Sequence, residues 1–171
     1  MNNIVWQNIG RFVLLVGFQL LVLGNVYLGG YVLPMLYVLF ILMLPTNTKR
    51  IPLLLIAFGT GLVVDLMNNV LGFHALACTV VAMLRIWFAN RILTRGEPIV
   101  ISSPSIRNVT PQYMVSYLLL MYAAFYLVYF TTELFGSRGL GDMLLATVCS
   151  TLASTLLAVL YQLLFAKKEN Q

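Results

Sequence analysis

The side chains best suited to chemistry lie close together in the middle of the chain, around a short turn between two apolar runs. Asp65 is followed by Asn68 and Asn69, and His74 begins the next apolar run. Residues three and four apart are neighbours on a helix, so Asp65 can pair with either asparagine. The group could hold a helical hairpin rigid, bind a partner or relay protons. Alternatively, Asp65 lies at the membrane interface or accepts hydrogen bonds from the free N–H groups that open the following helix.

This set of residues is too small for the common kinds of active site. A metal site normally has three or four protein ligands, whereas this turn offers one histidine, His74, and one acid, Asp65. An intramembrane aspartyl protease needs two buried acids, whereas only Asp65 lies even partly within an apolar run. The sequence contains no Gly-x-Ser-x-Gly, phosphate-binding loop or haem motif. We therefore predict a non-enzymatic protein with no catalytic residue, no metal and no cofactor.

The elements that position these residues are strongly hydrophobic. Of the 171 residues, 61% are apolar and 9% are charged, and the mean hydropathy is +0.94; soluble domains carry about 25% charged residues. A water-soluble globule of this size would expose much of its apolar surface. The composition therefore excludes that class and predicts an integral membrane protein. Cys78 and Cys149 both lie in apolar runs, which indicates neither a disulfide framework nor a thiolate metal site.

Six apolar runs are candidates for membrane-spanning helices, since crossing the hydrocarbon layer takes roughly 17 to 25 residues. They predict an all-α protein whose residues 1–171 form one transmembrane domain, a compact bundle of six helices. The longest connection, residues 91–112, is interrupted by prolines. The first run lacks a small-x-small cleavage site, so we expect it to be retained. The predicted helices cover residues 12–27, 30–44, 52–66, 72–90, 113–132 and 143–165.

The net charge of +5 comes from basic residues that are scattered singly or in pairs. Nucleic-acid binding requires a clustered basic stripe, so we expect no nucleic-acid partner. With the N-terminus in the cytoplasm, only Arg138 lies outside, in agreement with the positive-inside rule. An even number of spans then returns the C-terminus to the cytoplasm. The basic residues on or near the inner face are Arg11, Lys49, Arg50, Arg85, Arg91, Arg95, Arg107, Lys167 and Lys168.

Small residues recur on two predicted helices at spacings that allow close packing. They return every four positions in the sixth helix, and glycines return every seven in the first. Such seams pack against another helix of the bundle or against a partner's transmembrane helix. The two sets are Ala146, Ser150, Ser154 and Ala158, and Gly10, Gly17 and Gly24.

Two tyrosines lie one turn apart, deep within the predicted fifth helix. Tyr122 and Tyr126 need partners for their hydroxyl groups and should therefore face protein or a cavity. A pocket lined by these side chains and by residues of the first and sixth helices would take a small ligand. This keeps a small-molecule binding protein as the alternative to a protein that binds other membrane proteins.

The run GTGLVVDLMNNVLGFHALA, residues 59–77, resembles the signature region of the bacterial rod shape-determining MreD family. In that family a glycine-rich third helix carries an Asp near its end, and a short turn leads to Gly-x-x-Ala-Leu at the start of the fourth helix. Six spans, basic inner loops and two cytoplasmic ends also fit the family. The residues that match the pattern are Gly61, Asp65, Gly72, Ala75 and Leu76.

The resemblance implies a non-enzymatic scaffold of the elongation machinery, which builds lateral peptidoglycan and maintains rod shape at the bacterial inner membrane. It implies binding to the single-span protein MreC and, indirectly, to the actin-like MreB and the peptidoglycan glycosyltransferase and transpeptidase pair. The candidate structural or partner-binding residues are Gly61, Asp65, Gly72 and His74. The family is also similar in fold to the six-helix substrate-binding subunits of vitamin (ECF-type) transporters. Binding of a vitamin-like substrate is therefore the alternative function.

Overall fold

The computed structural model describes residues 2–21, 31–45, 48–70, 72–93, 110–133 and 139–165. These ranges form six helices, and the prediction of an all-helical protein is confirmed. Gly24 and residues 94–109 of the predicted long loop lie outside the described residues. The helices are α1 (Asn2–Leu21), α2 (Val38–Leu42), α3 (Arg50–Asn68), α4 (Phe73–Leu93), α5 (Pro111–Glu133) and α6 (Leu140–Phe165).

Within the described ranges, three stretches of helix are long and apolar enough to cross a membrane. They are α3, the Pro111–Thr132 part of α5, and α6. Shorter apolar stretches occupy Asn8–Leu21 of α1 and Phe73–Phe88 of α4. The apolar helices support the membrane protein that the composition predicts, and the number of bilayer crossings stays a prediction.

The structure divides the second predicted helix, residues 30–44, into two parts. Residues 31–37, called the interrupted segment below, are not helical, and α2 after them has only five residues, all of them buried. Pro34 lies within the interrupted segment. Proline has no N–H, and it disfavours the helical conformation of the residue before it. The protein therefore lacks the spanning helix expected over residues 30–44.

The turn between α3 and α4 depends on two residues in the left-handed conformation. α3 ends at Asn68 because Asn69 has a φ of 54°. Gly72 follows with a φ of 78°, which glycine adopts without steric cost. The chain thus reverses within a few residues, and α4 returns along α3.

The helices pack as a series of neighbours around the interrupted segment and α2. α3 lies along α4, α4 along α5 and α5 along α6, while α2 contacts α1, α3 and α4. Aromatic side chains fill the side of α5 that faces the core. The ring of Tyr126 stacks between Tyr122 and Phe130, with centroid distances of 6.4 and 5.8 Å. Apolar side chains such as Leu55 and Leu156 are exposed on the outer faces, which suits contact with lipid.

Candidate functional site

Asp65, in the last turn of α3, binds the backbone at the start of α4. Its Oδ1 accepts a hydrogen bond from the N–H of His74 at 3.1 Å, and its Oδ2 accepts one from the N–H of Ala75 at 2.8 Å. These donors belong to the first turn of α4, which has no internal partners for them. Gly72, the residue immediately before α4, has no side chain that could accept these hydrogen bonds. Asp65 therefore takes the role of an N-cap residue from a neighbouring helix.

The imidazole of His74 contacts the same carboxyl group. Its Nδ1 lies 2.9 Å from Oδ1 of Asp65, and the side chains of His74 and Asp65 are 5% and 4% exposed. With Asp65 as a carboxylate, this contact requires a proton on Nδ1. The ring of His74 lies against Tyr129, with centroids 4.8 Å apart, and 6.1 Å from the ring of Tyr37. The buried pair is thereby joined to α5 and to the interrupted segment.

Gly61 brings α3 and α4 into direct backbone contact about one turn before Asp65. A Cβ at Gly61 would lie 2.5 Å from the Cα of Ala75 and 2.6 Å from the carbonyl carbon of His74. Non-bonded carbon atoms pack at about 3.5 to 4.0 Å. Any larger residue at this position would therefore push α4 away from α3 and from the Asp65 carboxyl group.

The two asparagines that the sequence groups with Asp65 lie apart from its side chain. Asn68 is exposed, and its Nδ2 donates to the carbonyl oxygen of Val64 at 3.0 Å. Asn69 ends α3, and its N–H donates to the carbonyl oxygen of Asp65. The expected cluster of four polar residues thus reduces to Asp65 and His74, while both asparagines bond to the end of α3.

A second polar site surrounds the interrupted segment. The N–H of Met35 donates to the Tyr126 hydroxyl at 2.9 Å and to Ser154 Oγ at 3.0 Å. The Tyr126 hydroxyl donates to the carbonyl oxygen of Leu33 at 2.6 Å and lies 2.5 Å from Ser154 Oγ. The N–H of Leu33 donates to Ser150 Oγ at 3.0 Å. Side chains of α5 and α6 therefore bind backbone groups that no helix satisfies.

Gln19 supplies the corresponding contacts from α1. Its Nε2 donates to the carbonyl oxygen of Pro34 at 3.1 Å, and its Oε1 accepts from the N–H of Leu36 at 2.8 Å. The side chain of Gln19 is buried. Inside a membrane protein, irregular backbone persists only where protein groups or trapped water satisfy it. The interrupted segment meets this condition with side chains from three helices.

Arg85 binds the C-terminal end of α2. Its Nη1 donates to the carbonyl oxygen of Ile41 at 2.6 Å, and its Nη2 donates to that of Leu44. The last carbonyls of a helix have no internal donors, and a cation is favourable beside them. Arg85 is buried. It is also one of the basic residues whose positions predict the orientation of the protein in the membrane. Its observed contacts are structural ones within the bundle.

Sequence reasoning singled out Tyr126 and the serines of α6 but missed Gln19 and Arg85 as site residues. The signal that could have identified them is the energetic cost of a polar side chain in an apolar run. Gln19 and Arg85 each interrupt such a run. Both prove to be hydrogen-bonded to backbone groups at the ends of α2 and the interrupted segment.

The predicted seams of small residues have different surroundings. The four residues of α6 are all fully buried, and α6 packs along α5. The two serines among them bind the interrupted segment. These four residues are Ala146, Ser150, Ser154 and Ala158.

On α1 the glycines are not at a close helix contact. Gly10 is exposed and Gly17 half-buried, and a Cβ on either would meet no atom of a neighbouring element within 4 Å. Internal packing through this seam is therefore not observed for Gly10 and Gly17. Gly24, the third glycine, lies outside the described residues.

Tyr122 and Tyr126 both lie fully buried on the inner side of α5. The hydroxyl of Tyr126 is bound by the interrupted segment, while that of Tyr122 has no hydrogen-bond partner among the described residues. The expectation that both side chains face the protein interior is confirmed by their burial.

The described residues offer no group of three or more His, Cys, Asp or Glu side chains that could hold a metal ion. Cys78 and Cys149 are among the described residues, and both are free thiols. A scan of protein-family models and searches of curated proteins and of solved structures found no match to this chain. Apart from the two asparagine contacts within the end of α3, the polar contacts described above join helix ends or irregular backbone to neighbouring elements.

Proposed function

We propose that the protein is a non-enzymatic scaffold of the bacterial inner membrane that binds a single-span partner of the MreC type. In this role it belongs to the machinery that synthesises lateral peptidoglycan and maintains rod shape. Binding to MreC associates it indirectly with MreB and with the glycosyltransferase and transpeptidase pair. The proposal includes six membrane crossings, the second of them made by the interrupted segment together with α2, and two cytoplasmic termini.

The observation that carries the proposal is the engagement of Asp65. Both of its carboxyl oxygens are bound by groups at the start of α4, two backbone N–H groups and the imidazole of His74. The side chain is 4% exposed, so it presents no carboxylate to a substrate. A polar pair used in this way fixes the angle and spacing of two helices. Fixed geometry is what a scaffold contributes to an assembly.

The hairpin of α3 and α4 offers an apolar surface for a partner's transmembrane helix. Leu62, Leu66 and Met67 are exposed on α3, and Leu76 and Met83 are exposed on α4. Association of helices within a membrane depends on close van der Waals fit. The Asp65 contacts hold the backbone beneath these side chains in one arrangement, which favours a reproducible fit.

Copurification in mild detergent with an MreC-type single-span protein tests the proposal. The double variant Leu66→Ala/Met67→Ala should lower recovery of the partner without lowering the Tm, because both side chains are exposed. Leu156→Ala is the matched control, since Leu156 is 61% exposed on α6 and Leu66 is 69% exposed. Equal recovery for both variants would exclude this hairpin surface. Failure of the unaltered protein to recover any single-span partner would contradict the scaffold itself.

Variants of the hairpin interior provide a second test. Asp65→Ala and Gly61→Leu should weaken partner recovery, because they loosen the contact between α3 and α4. Membrane insertion is quantified first, so that loss of the protein is not mistaken for loss of binding. Normal recovery from well-inserted Asp65→Ala would remove this role from the hairpin.

The topology has its own test. Reporter tags at the two termini should both report a cytoplasmic location, since six spans return the chain to its starting side. Tags on opposite sides of the bilayer would contradict the six-span arrangement.

A substrate-binding subunit of a vitamin (ECF-type) transporter is the second candidate. It is favoured by the buried polar interior between α1, α5 and α6, where Gln19, Tyr126 and Ser154 bind irregular backbone. Broken helices of this kind are common at transporter binding sites. Mass spectrometry of a small-molecule extract separates the candidates. A retained compound that raises the Tm favours the transporter subunit, whereas partner recovery without such a compound favours the scaffold.

A further inference from the structure

Three buried hydroxyl groups of α5 and α6 take no part in binding the interrupted segment. The hydroxyls of Tyr122, Thr151 and Thr155 are inaccessible to solvent and have no hydrogen-bond partner in the described part of the chain. These residues are 0%, 4% and 6% exposed. A buried hydroxyl without a partner is costly, and native proteins contain few of them. The three groups therefore require an explanation.

The two tyrosines of α5 occupy equivalent positions with one difference. The hydroxyl of Tyr126 lies 2.5 Å from Ser154 Oγ. Tyr122 lies one turn earlier on α5, and Ala158 lies one turn later on α6. Because consecutive helices of a bundle run antiparallel, Tyr122 and Ala158 lie at about the same level. Ala158 presents a methyl group where Ser154 presents a hydroxyl, so Tyr122 lacks the partner that Tyr126 has.

The backbone nearby does not replace that partner. The Tyr122 hydroxyl lies towards the N–H of Leu39 in the first turn of α2, and this N–H already donates to the carbonyl oxygen of Leu36 at 3.0 Å. Thr155 and Thr151 lie one turn apart on α6, next to the face that carries Ser154 and Ala158. Thr155 lies three residues before Ala158 and Thr151 lies seven before it, which corresponds to about 4.5 and 10.5 Å along α6. Of the two threonines, Thr155 is therefore the one near enough to the level of Tyr122 to share a bridging molecule with it.

The chemistry of these groups favours water as the bound species. Each hydroxyl can donate and accept, and the three carry no formal charge. A buried water molecule typically makes about three hydrogen bonds to polar groups that would otherwise be unsatisfied. Leu118 and Met121, which lie on α5 within about one turn of Tyr122, are at most 1% exposed. This part of α5 is therefore enclosed by protein, which favours a very small guest.

We propose that Tyr122 and Thr155 form an internal hydration site, in which an ordered water molecule bridges the Tyr122 hydroxyl and Thr155 Oγ1 beside Ala158. Thr151 extends the polar surface of this site along α6. The water molecule supplies at Ala158 the hydroxyl that Ser154 supplies one turn away. It thereby links α5 to α6 next to the first turn of α2. The site does not depend on the proposed scaffold function.

A double-mutant cycle on the full-length protein in detergent tests the bridge. Tyr122→Phe and Thr155→Val each remove a hydroxyl at nearly constant volume. If water bridges the two groups, each variant should lower the Tm by about 2 to 4 °C. The double variant should lower it by less than the sum, because both changes remove the same bridge. Tyr113→Phe, at a residue that is 37% exposed, is the control and should leave the Tm unchanged.

Several outcomes would overturn the proposal. If the hydroxyls are simply unbonded, Tyr122→Phe should leave the Tm unchanged or raise it, since it removes an unsatisfied group. Fully additive losses would show that the two hydroxyls share no partner. An organic compound retained by the protein, whose removal lowers the Tm of the unaltered protein but not that of Tyr122→Phe, would replace water as the guest.

A second measurement applies even where a variant fails to fold. In unaltered protein with ring-labelled tyrosine, nuclear Overhauser contacts from long-lived water should reach the ring of Tyr122. Tyr122 is identified by replacing each of the other buried tyrosines in turn. Absence of a water contact at Tyr122 would contradict the hydration site.

Discussion

The α3–α4 hairpin and the interrupted segment both contain backbone groups that their own helices leave unsatisfied, and they obtain partners in opposite ways. In the hairpin, one carboxyl group binds two N–H groups that lie nine and ten residues away. In the interrupted segment, four side chains from three helices share the contacts, at separations of 15 to 119 residues. The hairpin therefore concentrates its polar stabilisation in Asp65, whereas the interrupted segment distributes it.

This difference has consequences for folding and for tolerance of mutation. Closing the short turn between α3 and α4 costs little chain entropy, so the hairpin contacts require few other elements to be in place. The interrupted segment needs α1, α5 and α6 around it before its backbone is satisfied. A single substitution should therefore affect the hairpin strongly, while each contact of the interrupted segment should contribute a smaller share.

The largest effect is expected at Gly61. Gly61→Leu should lower the folded yield and the Tm more than any other single variant, because even its Cβ would lie 2.5 Å from the Cα of Ala75, and flexible side chains alone cannot relieve that contact. Size-exclusion profile and folded yield in detergent measure the effect. Gly17→Ala is the matched control, since a Cβ there meets no neighbouring element; it should stabilise α1 by about 0.5 to 1 kcal/mol. Folded Gly61→Leu with an unchanged Tm would contradict the close backbone contact.

The next largest effect is expected for Asp65→Ala. It removes the acceptor for two backbone donors and leaves the buried His74 without its carboxylate, which should cost about 3 kcal/mol in the free energy of unfolding. Denaturant unfolding in detergent measures this value. Asp142→Ala is the control, because Asp142 is exposed and accepts one hydrogen bond from Tyr31. Equal effects of the two variants on the free energy of unfolding would show that the polar stabilisation of the hairpin does not depend mainly on Asp65.

A smaller effect is expected for Tyr126→Phe in the interrupted segment. The change removes the hydroxyl that binds Leu33, Met35 and Ser154, but Ser154 Oγ still accepts from the N–H of Met35. The free energy of unfolding should therefore fall by about 2 kcal/mol. Gln19→Leu, which removes the two contacts that α1 makes with the segment, should cost a similar amount. If Tyr126→Phe lowered the free energy of unfolding more than Asp65→Ala, the polar stabilisation would be concentrated in the interrupted segment and not in the hairpin.

The smallest effect is expected for Ser150→Ala. Ser150 Oγ accepts from the N–H of Leu33 and donates to the carbonyl oxygen of Tyr31, so its loss should cost about 1 kcal/mol. Thermal unfolding can resolve this change against Ser116→Ala, because the exposed Ser116 hydroxyl donates to the carbonyl oxygen of Gln112 within its own helix. No difference between the two serine variants would show that the contacts at this end of the interrupted segment contribute nothing measurable.

Much of the hairpin could be predicted from the sequence, whereas the interrupted segment could not. The apolar runs indicated α3 to α6, and Asp65 stood close enough in the chain to the start of α4 to suggest that it binds N–H groups there. Pro34 was visible within residues 30–44, but a proline near the start of a helix is well tolerated. Whether Pro34 interrupts the helix depended on side chains from distant helices that could bind non-helical backbone. The sequence around Pro34 does not indicate those side chains.

The sequence by itself determined that this is an apolar, helical protein and where α3 to α6 lie, because apolar composition and local chain preferences act over a few turns. It did not predict that α1 begins at Asn2, ten residues before the predicted start. It offered Gly61 as a hairpin residue and Gly10 and Gly17 as helix-packing residues, without showing which of them makes a close contact. Only the tertiary structure decided that Gly61 contacts the backbone of Ala75 while the other two face open space. It likewise decided that Gln19, Arg85 and Tyr126 bind backbone groups around α2. The physical reason is that close contact and hydrogen bonding depend on neighbours in space, which come from residues far apart in the chain.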